Sequence, residues 1–419
     1  MQRFDDISTK SSVLSNRGSI TVTRFLGKTR SVLTVTLLMT ALNSRPCLGF
    51  DVLYRVVDLG VLTPGGTSSG VALNNSDQVA GYGLSPATNT VAAATDANGH
   101  LVSLGTLGTG RTSAALGISQ DGGAIVGQSE IKLRTNPDVY GTHAFLSTGP
   151  GTMQDLHDPN VNFLYTNSAA TGINDRGRIV GFLQSGDRLT TRGFFSDIPG
   201  VMLPMGTLGG RNSQANGVNH SGMIVGTSDT STPGQTHAFR TSADGLTLND
   251  LGGSGSSTGN AINDAGHVVG AAGGSGSGGG SHAFFSTGPN VFTDLGVLNG
   301  TDSSVAMAIN NKDVVVGKSS LSSSGTSNAF IVFDPTKPNT IIDLNSLIDL
   351  RSGWILNSAS GINLNGDITG TGKFQGQDRA FLLLAAVPEP SILVLATLGG
   401  AILLTYRLRR GRTGARADV

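Results

Sequence analysis

The sequence predicts an all-β protein, a seven-bladed β-propeller of four-stranded blades closed by its N-terminal strand. Three observations support this prediction. A hairpin motif recurs seven times at intervals of 44 to 54 residues, each repeat holds four short strand candidates, and one strand candidate is left over at each end. Such a period is typical of a propeller blade. The 61 Gly and only 5% aromatic residues indicate packing by small side chains and close backbone contacts.

The recurring hairpin reads GINDRGRIVG from Gly172 to Gly181, and returns as GVNHSGMIVG, AINDAGHVVG, AINNKDVVVG and GINLNGDITG. Two apolar strands flank a polar turn, in which Asn, Asp and Gly supply the backbone conformations that a tight turn needs. We interpret the last Gly of the motif as allowing neighbouring blades to approach closely. These glycines are Gly81, Gly127, Gly181, Gly226, Gly270, Gly317 and Gly370.

Two further strand motifs follow each hairpin. The first is HAF, with variants in some repeats, and we expect its aromatic ring to pack between adjacent sheets. Its first position holds His143, His237, His282, Arg192, Asn328, Arg379 and, in a degraded AAA form, Ala92. The second motif is a DLG-like turn that ends an apolar strand. Its acidic position holds Asp58, Asp155, Asp250, Asp294 and Asp343.

The order of these motifs predicts how the ring closes. The repeated segment opens with a DLG strand, Tyr54–Gly60, and closes with a HAF strand, Arg379–Leu384. The first strand has no blade of its own, and the last blade lacks its fourth strand. Pairing the two would close a ring and remove both exposed edges, whereas an open solenoid would need polar capping units.

These motifs resemble the HAF repeat of bacterial extracellular proteins over nearly all of residues 54–384, although Ala92–Ala94 departs from the pattern. The resemblance implies an extracellular β-rich repeat domain and no known activity.

The N-terminal 50 residues are typical of a secretory signal peptide with its flank. Basic residues precede Ser31–Leu42, a run of twelve mostly apolar residues. A helix of twelve residues spans only about 18 Å, too short for a bilayer, and this arrangement marks export. The alternative is a buried core helix. The propeller is then expected over residues 51–387.

Residues 388–419 form a tripartite end. Pro388, Glu389 and Pro390 precede an uncharged run over residues 391–406, and Arg407, Arg409 and Arg410 follow. A basic flank fixes a membrane helix with that flank in the cytoplasm. The segment resembles the PEP-CTERM sorting signal of Gram-negative bacteria. The resemblance implies processing by an exosortase in the inner membrane, transfer to the cell surface or exterior, and association with exopolysaccharide and biofilm systems. A plain membrane anchor is the alternative.

Charge and cysteine content narrow the function classes. Between Asp51 and Pro388 the chain has 16 Lys and Arg against 24 Asp and Glu, a net charge of −8. A body of that sign repels phosphate backbones, so nucleic acid is not expected as a partner. The single cysteine, Cys47, excludes a disulfide within one chain.

The sequence predicts no catalytic, cofactor or metal site. A glycosidase needs two suitably spaced carboxylates, but the only glutamates are Glu130 and Glu389, and each repeated Asp is interpreted as structural.

The three HAF histidines could contribute to a ring of metal ligands, but Arg and Asn in the same slot favour hydrogen bonding. Asn363–Asp367 is interpreted as a turn rather than a calcium loop, since the bidentate Glu is missing. Trp354 is either a ligand anchor on a rim or local core.

Two functions of different class remain. The first is an exported binding or structural module for exopolysaccharide or an envelope protein, and the second is an extracellular propeller enzyme, a hydrolase or lyase acting on polysaccharide. Non-repeated acidic, His or aromatic residues converging on one rim would favour the enzyme. The sequence reveals no such cluster, so the binding module is the preferred prediction.

Overall fold

The computed structural model describes residues 53–87, 89–135, 138–158, 165–253, 255–273 and 280–385. These residues form seven four-stranded antiparallel sheets, which confirms the predicted seven-bladed propeller. Two short 3-10 helices occur, Leu344–Leu347 and Leu350–Ser352. Among the described residues, no helix has the length and apolar character needed to span a bilayer. The predicted signal peptide and the hydrophobic run over 391–406 lie outside the described residues.

The strands are numbered along the chain. Blade 1 contains β2 (Ser68–Leu73), β3 (Val79–Leu84), β4 (Thr90–Thr95) and β5 (Leu101–Gly105). Blade 2 contains β6 (Ser113–Ile118), β7 (Ile125–Thr135), β8 (Asp138–Ser147) and β9 (Gln154–Asp155). Blade 3 contains β10 (Tyr165–Ile173), β11 (Ile179–Ser185), β12 (Thr191–Ile198) and β13 (Val201–Pro204). Blade 4 contains β14 (Gly209–Val218), β15 (Ile224–Thr230), β16 (Thr236–Thr241) and β17 (Leu248–Asp250). Blade 5 contains β18 (Ser257–Ile262), β19 (Val268–Gly273), β20 (Ser281–Gly288) and β21 (Val291–Gly296). Blade 6 contains β22 (Ser303–Ile309), β23 (Val315–Leu321), β24 (Thr326–Val332) and β25 (Ile342–Asp343). Blade 7 contains β26 (Trp354–Ile362), β27 (Ile368–Phe374), β28 (Gln377–Ala385) and β1 (Tyr54–Asp58).

The ring closes as the motif order predicts. Strand β1 pairs antiparallel with β28, in a register that runs from Tyr54 opposite Ala385 to Asp58 opposite Phe381. The predicted first strand extended to Gly60, but the observed strand ends at Asp58. Gly60 has a φ of +82° and donates its amide to Asp58 Oδ1 at 2.9 Å, so the DLG motif turns the chain instead of extending the strand.

The first strand of each blade lies at the centre of the ring. These strands contact one another in sequence, and short polar side chains link them. Thr171 Oγ1 donates to Ala215 O at 2.8 Å, and Asn216 Nδ2 donates to Gly259 O at 2.7 Å. The same type of bond is made across the seam between blades 7 and 1, where a serine of β26 donates to a carbonyl of β2 at 2.7 Å.

The apolar core lies between blades. Seven clusters of buried side chains are found, each shared by two neighbouring sheets. The HAF aromatic rings are at most 1% exposed, which confirms that they pack between sheets. These rings are Phe145, Phe194, Phe239, Phe284, Phe330 and Phe381.

A repeated serine adds a polar staple between blades. In six blades the Oγ of a first-strand serine accepts the amide of the HAF alanine, or its equivalent, from the preceding blade at 2.8–3.1 Å. In four of them the same hydroxyl also donates to the carbonyl of the preceding DLG-type glycine. The serines are Ser68, Ser113, Ser168, Ser213, Ser257 and Ser304.

The glycine that ends each hairpin motif has a different role from the one predicted. A Cβ on Gly226 would lie 2.0 Å from Gln214 O and 2.7 Å from Phe239 Cζ, both in the same blade. At all seven of these glycines, an added Cβ would lie 1.8–2.1 Å from a carbonyl oxygen. Close approach between blades occurs instead at the first glycine of the motif, where a Cβ on Gly117 would lie 3.0 Å from Gly172 Cα. The prediction that the last Gly allows neighbouring blades to approach closely was therefore wrong.

One residue in each turn between the first and second strands has a left-handed backbone, with φ between +60° and +95°. It is Gly in five blades and Asp in blades 1 and 6. The seven positions are Asp77, Gly123, Gly177, Gly222, Gly266, Asp313 and Gly366. A non-glycine residue in this region carries a steric cost of about 1–2 kcal/mol, so the two aspartates must be held by their surroundings.

The two aspartates have opposite surroundings. Asp313 Oδ1 accepts Asn263 Nδ2 at 2.7 Å and lies 2.8 Å from His267 Nδ1. Asp77 Oδ1 accepts the equivalent amide, Asn363 Nδ2, at 2.9 Å, but the place of the histidine is taken by a second carboxylate, the 6% exposed Asp367. Blades 5 and 6 thus share a complementary pair, whereas blades 7 and 1 share two carboxylates.

This carboxylate pair perturbs its neighbours. Burial, and then repulsion from Asp367, raise the pKa of Asp77, while the hydrogen bond from Asn363 lowers it in part. Burial, with a smaller contribution from Asp367, raises the pKa of Tyr54 to about 12. Within the described residues, no cationic side chain pairs with either carboxylate. The folded protein therefore binds a proton at this seam more tightly than the unfolded chain does.

Gly226→Ala is expected to destabilise the protein by about 3 kcal/mol, because the new Cβ meets a backbone oxygen and a buried ring that cannot move apart freely. Gly206→Ala is the control, since a Cβ there meets nothing within 4 Å and its φ is not positive. Denaturant unfolding of both variants measures the difference. A Gly226→Ala protein as stable as the control would contradict the packing described.

Asp77→Gly is expected to raise the free energy of unfolding at pH 7 by about 1 kcal/mol, because Gly removes the left-handed strain and one of two facing carboxylates. An acid whose pKa is raised on folding loses stability as the pH rises from its ordinary value, 3.8 here, through the raised pKa. The part of the gain that comes from the facing carboxylates should therefore disappear near pH 3.8, and the part that comes from relieved backbone strain should remain. Thermal unfolding across pH 3.5–8 measures it.

Asp313→Gly is the matched control for this prediction. It makes the same exchange at the equivalent position but removes the partner of Asn263 and His267, and the unpaired groups should cost about 1–3 kcal/mol at pH 7. Destabilisation of similar size by both substitutions would show that the seam carboxylates are not in conflict.

Candidate functional site at the axial mouth

The seven turns between first and second strands converge at one end of the propeller axis. Their first residue is buried, and it is Asn in six blades and Ser119 in blade 2. Asn219 illustrates its double role, because its Oδ1 accepts Met223 N at 2.9 Å and its Nδ2 donates to Asn263 O at 2.9 Å. The side chain thus shapes its own turn and bonds the next blade.

Five such links connect consecutive blades, from blade 3 round to blade 1. Their donor and acceptor residues are Asn174 and Asn219, Asn219 and Asn263, Asn263 and Asn310, Asn310 and Asn363, and Asn363 and Asn74. Blade 1 makes its link to blade 2 differently, through Asn75 N and Gln120 O at 2.8 Å. The ring of turns is consequently held together at this end by directional bonds.

A second ring of turn residues, which we call the mouth rim, lies beside the first. Its member directly follows the buried Asn in six blades and lies two residues after Ser119 in blade 2. Its members are Asn75, Asp121, Asp175, His220, Asp264, Asn311 and Leu364. Neighbouring members bond one another: Asn75 Nδ2 donates to Asp121 Oδ1 at 2.8 Å, and Asp121 N donates to Asp175 Oδ1 at 2.8 Å. His220 N donates to Asp264 Oδ1 at 2.9 Å.

The mouth rim encloses a cavity of about 170 Å³ with an apolar floor. The floor consists of Ile173, Val218, Ile262, Ile309 and Ile362. Sites for drug-sized ligands are usually larger, about 300–1,000 Å³. The cavity therefore suits one small unit, with hydrogen bonds at its edge and apolar contact at its base.

Sequence patterns do not indicate that these residues meet. Asp175 and Asp264 were predicted to be turn residues, and they are, but the structure also places them with Asp121 and His220 on one rim. This is a cluster of non-repeated polar residues, which sequence reasoning did not detect. The available signal was the contrast between an almost constant Asn and a following position that differs between blades.

The HAF and DLG motifs are partners in a structural contact. In five blades the first HAF side chain bonds the DLG aspartate at 2.8–2.9 Å. The pairs are His143 and Asp155, His237 and Asp250, His282 and Asp294, Asn328 and Asp343, and Arg379 and Asp58. This geometry confirms hydrogen bonding as the common property of the HAF slot.

The two exceptions lack the DLG aspartate. In blade 1 the register places Ala93 opposite Gly81, as Phe145 lies opposite Gly127. The AAA motif is therefore shifted by one residue from the predicted alignment, and Val91 rather than Ala92 occupies the histidine slot. In blade 3 the slot holds Arg192, but Pro204 stands where the five paired blades have Asp. The HAF–DLG contact is therefore absent from blades 1 and 3.

A histidine and a serine also lie in contact between blades 2 and 3. His157 Nδ1 lies 3.0 Å from Ser168 Oγ, and its ring stacks on His143 at 4.1 Å. Burial lowers the pKa of His157, and the facing His143 lowers it further. Ser168 is 1% exposed and makes the inter-blade bond to Ala144 N that serines make in other blades, so this contact is structural and not a nucleophile with its base.

The other sequence-predicted residues are also placed. Asn363 Oδ1 accepts the amides of Asn365, Gly366 and Asp367, which confirms a turn in place of a calcium loop. Trp354 stacks on Phe374 at 5.1 Å and belongs to the local core.

Among the described residues, no group of three or more His, Cys, Asp or Glu has the geometry to hold a metal ion. The sorting motif Pro388–Pro390 and the basic flank Arg407, Arg409 and Arg410 lie outside the described residues.

Residues 108–251, about a third of the chain, match the model of a family described as a protein of unknown function, DUF3466. The matched segment contains blades 2 to 4. No curated protein matches the chain.

Solved structures with a similar fold include a protein of unknown function from Dyadobacter fermentans, at 13% identity and a TM-score of 0.39, covering 69% of this chain and 97% of that one. A prolyl endopeptidase matches at 10% identity and a TM-score of 0.46, covering 77% of this chain, which spans only 43% of that enzyme. An ulvan lyase matches at 12% identity and a TM-score of 0.38, covering 82% and 96%. At these values the likenesses carry no information on the activity of this chain.

Proposed function

We propose that this protein is an exported binding module whose axial mouth holds a neutral unit of a polysaccharide. The observation that supports the proposal is the mouth rim, where three carboxylates, two amides and one imidazole surround a small cavity with an aliphatic floor. Carboxylates accept hydrogen bonds from hydroxyl groups, and amides both donate and accept. Three carboxylates on one rim repel anions, so a neutral polyhydroxylated unit fits better than an acidic one.

Binding is favoured over catalysis by the contacts that these carboxylates already make. Asp121, Asp175 and Asp264 each accept a hydrogen bond from the adjacent blade, so each helps to shape the rim. A polysaccharide hydrolase or lyase acting with these carboxylates is the second candidate, since glycoside hydrolysis uses carboxylate pairs. The two candidates differ in whether the bound polymer is cleaved.

Asp175→Asn is expected to weaken binding of the neutral glycans selected from an array about tenfold. The substitution keeps the Oδ1 acceptor for Asp121 N but replaces an ionised acceptor by a neutral one, and hydrogen bonds to charged groups contribute about 1.5–3 kcal/mol. Asp96→Asn, in an exposed turn where the carboxylate caps His100 N, is the matched control. Titration calorimetry on the detergent-solubilised full chain measures both affinities.

The same samples are assayed for new reducing ends and for unsaturated sugar products. Binding without either product supports the module, and product formation lost in Asp175→Asn supports the enzyme. Affinity equal in wild type and Asp175→Asn would remove the mouth from consideration.

We further propose that the protein leaves the cytoplasm through its N-terminal segment and stays in the inner membrane until an exosortase-type enzyme processes it. The resemblance of residues 388–419 to a PEP-CTERM signal supports this route, as does the basic flank, because each Arg resists transfer across the bilayer centre by about 2.5–3.5 kcal/mol. The processed protein would then reach the cell surface or the exterior, where exopolysaccharide is available as a partner.

Replacing Pro388, Glu389 and Pro390 by alanine leaves the hydrophobic run intact. The variant is expected to accumulate uncleaved in the membrane fraction, whereas wild type is shortened and reaches the envelope or medium. Immunoblotting of cell fractions with an epitope inserted at Gly276 follows both proteins. Identical fractionation of full-length wild type and variant would instead indicate a plain anchor.

A further inference from the structure

A second recess, which we call the blade 2–3 cleft, lies away from the axial mouth. It has a volume of about 260 Å³, and its lining includes Gln128, Thr142, Asn167, Phe182, Gln184 and Arg188. One wall belongs to the hairpin of β7 and β8, which is longer than its equivalents. Strand β7 has 11 residues, whereas the second strands of the other blades have 6 or 7.

Two of the amide side chains in this cleft make no hydrogen bond within the described part of the fold. The side chains of Gln128 and Gln184 are half-buried, and among the described residues neither forms a hydrogen bond with the protein. Asn167 Oδ1 is fixed by Thr142 N at 2.9 Å, which holds the two walls together. Unpaired half-buried amides beside a ring and a cation are typical of a binding site.

Arg188 supplies the only charge of the cleft lining. Its side chain is exposed and forms no ion pair within the described part of the chain. The adjacent Asp187 does not pair with it; Asp187 Oδ1 instead accepts Leu189 N at 2.9 Å and the hydroxyl of Ser185. Arg188 itself has a φ of +59°, so a tight turn presents the guanidinium at the cleft.

These residues also depart from the repeat. The positions equivalent to Gln128 and Phe182, directly after the hairpin glycine, hold Tyr82, Thr227, Ala271, Lys318 and Thr371 in the other blades. A scaffold residue would recur as the staple serines do. The set at this one interface is therefore specific to blades 2 and 3.

We propose that the blade 2–3 cleft binds a uronate, a sugar unit that carries a carboxylate. The planar guanidinium of Arg188 matches a carboxylate through two parallel hydrogen bonds, Gln128 and Gln184 offer donors and acceptors to ring hydroxyls, and Phe182 offers an apolar face. The inference extends the proposed carbohydrate-binding role but uses neither the mouth rim nor its cavity. The protein would hold a neutral unit at one site and an acidic unit at another.

The test uses trigalacturonate and its fully methyl-esterified form, in which a methyl group on each carboxyl group removes its charge. Titration calorimetry is performed on the detergent-solubilised full chain. Wild type should bind the acid at least tenfold more tightly than the ester. Arg188→Asn, chosen because Asn tolerates a left-handed backbone, should lose at least tenfold in affinity for the acid. Arg188→Lys should recover only part of this affinity, because an ammonium group lacks the two parallel donors of the guanidinium.

Arg192→Gln is the matched control, since Arg192 lies in the same blade, outside the cleft lining, and among the described residues its side chain bonds only a backbone carbonyl. It should bind trigalacturonate as wild type does, and so should Asp175→Asn at the mouth, which separates this inference from the proposed function. Equal affinity for acid and ester, unchanged affinity in a folded Arg188→Asn protein, or equally tight binding of the peptide Glu-Glu-Glu would each overturn the uronate assignment.

Discussion

The structure depends on one repeated contact, the buried Asn side chain that begins the turn at the axis. Its carbonyl oxygen accepts amides of its own turn, and its amide group donates to the next blade, as Asn219 does towards Asn263. A single side chain therefore fixes both the local hairpin and the angular position of the neighbouring sheet. Because buried polar groups must be paired, each link also commits the next turn to the same geometry.

The remaining inter-blade contacts follow the same logic with other small residues. The staple serines bond the preceding third strand, and the first glycine of the hairpin motif lets the central strands approach closely. Each blade except blade 1 adds one fully buried HAF ring to the apolar core. A chain with few aromatic residues thus builds a closed ring from short side chains, and ring closure through β1 and β28 leaves no blade without two neighbours.

Repetition separates the scaffold from the candidate sites. Positions that recur, such as the Asn, the serine and the HAF–DLG pair, hold the fold, and positions beside them are free to vary. Variation beside the constant Asn produces the acidic mouth rim, and variation beside the constant glycine, together with a longer hairpin in blade 2, produces the blade 2–3 cleft with its single arginine. The two recesses consequently favour ligands of different charge.

The sequence by itself determined the blade count, the four strands of each blade and the closing strand, because these depend on local patterns that repeat. It also indicated that the HAF slot is for hydrogen bonding. Three other features follow from the register between strands and could not be predicted. They are the hydrogen-bond partners of the HAF slot, the shift of the blade 1 motif that puts Val91 in this slot, and the clash that explains the last hairpin glycine. Tertiary structure alone decided two further features. It brings together the mouth-rim residues Asp121, Asp175, His220 and Asp264, and it places Asp77 opposite Asp367. These residues are far apart in the chain, and only the curvature of a closed ring brings one position from each blade to the same axis.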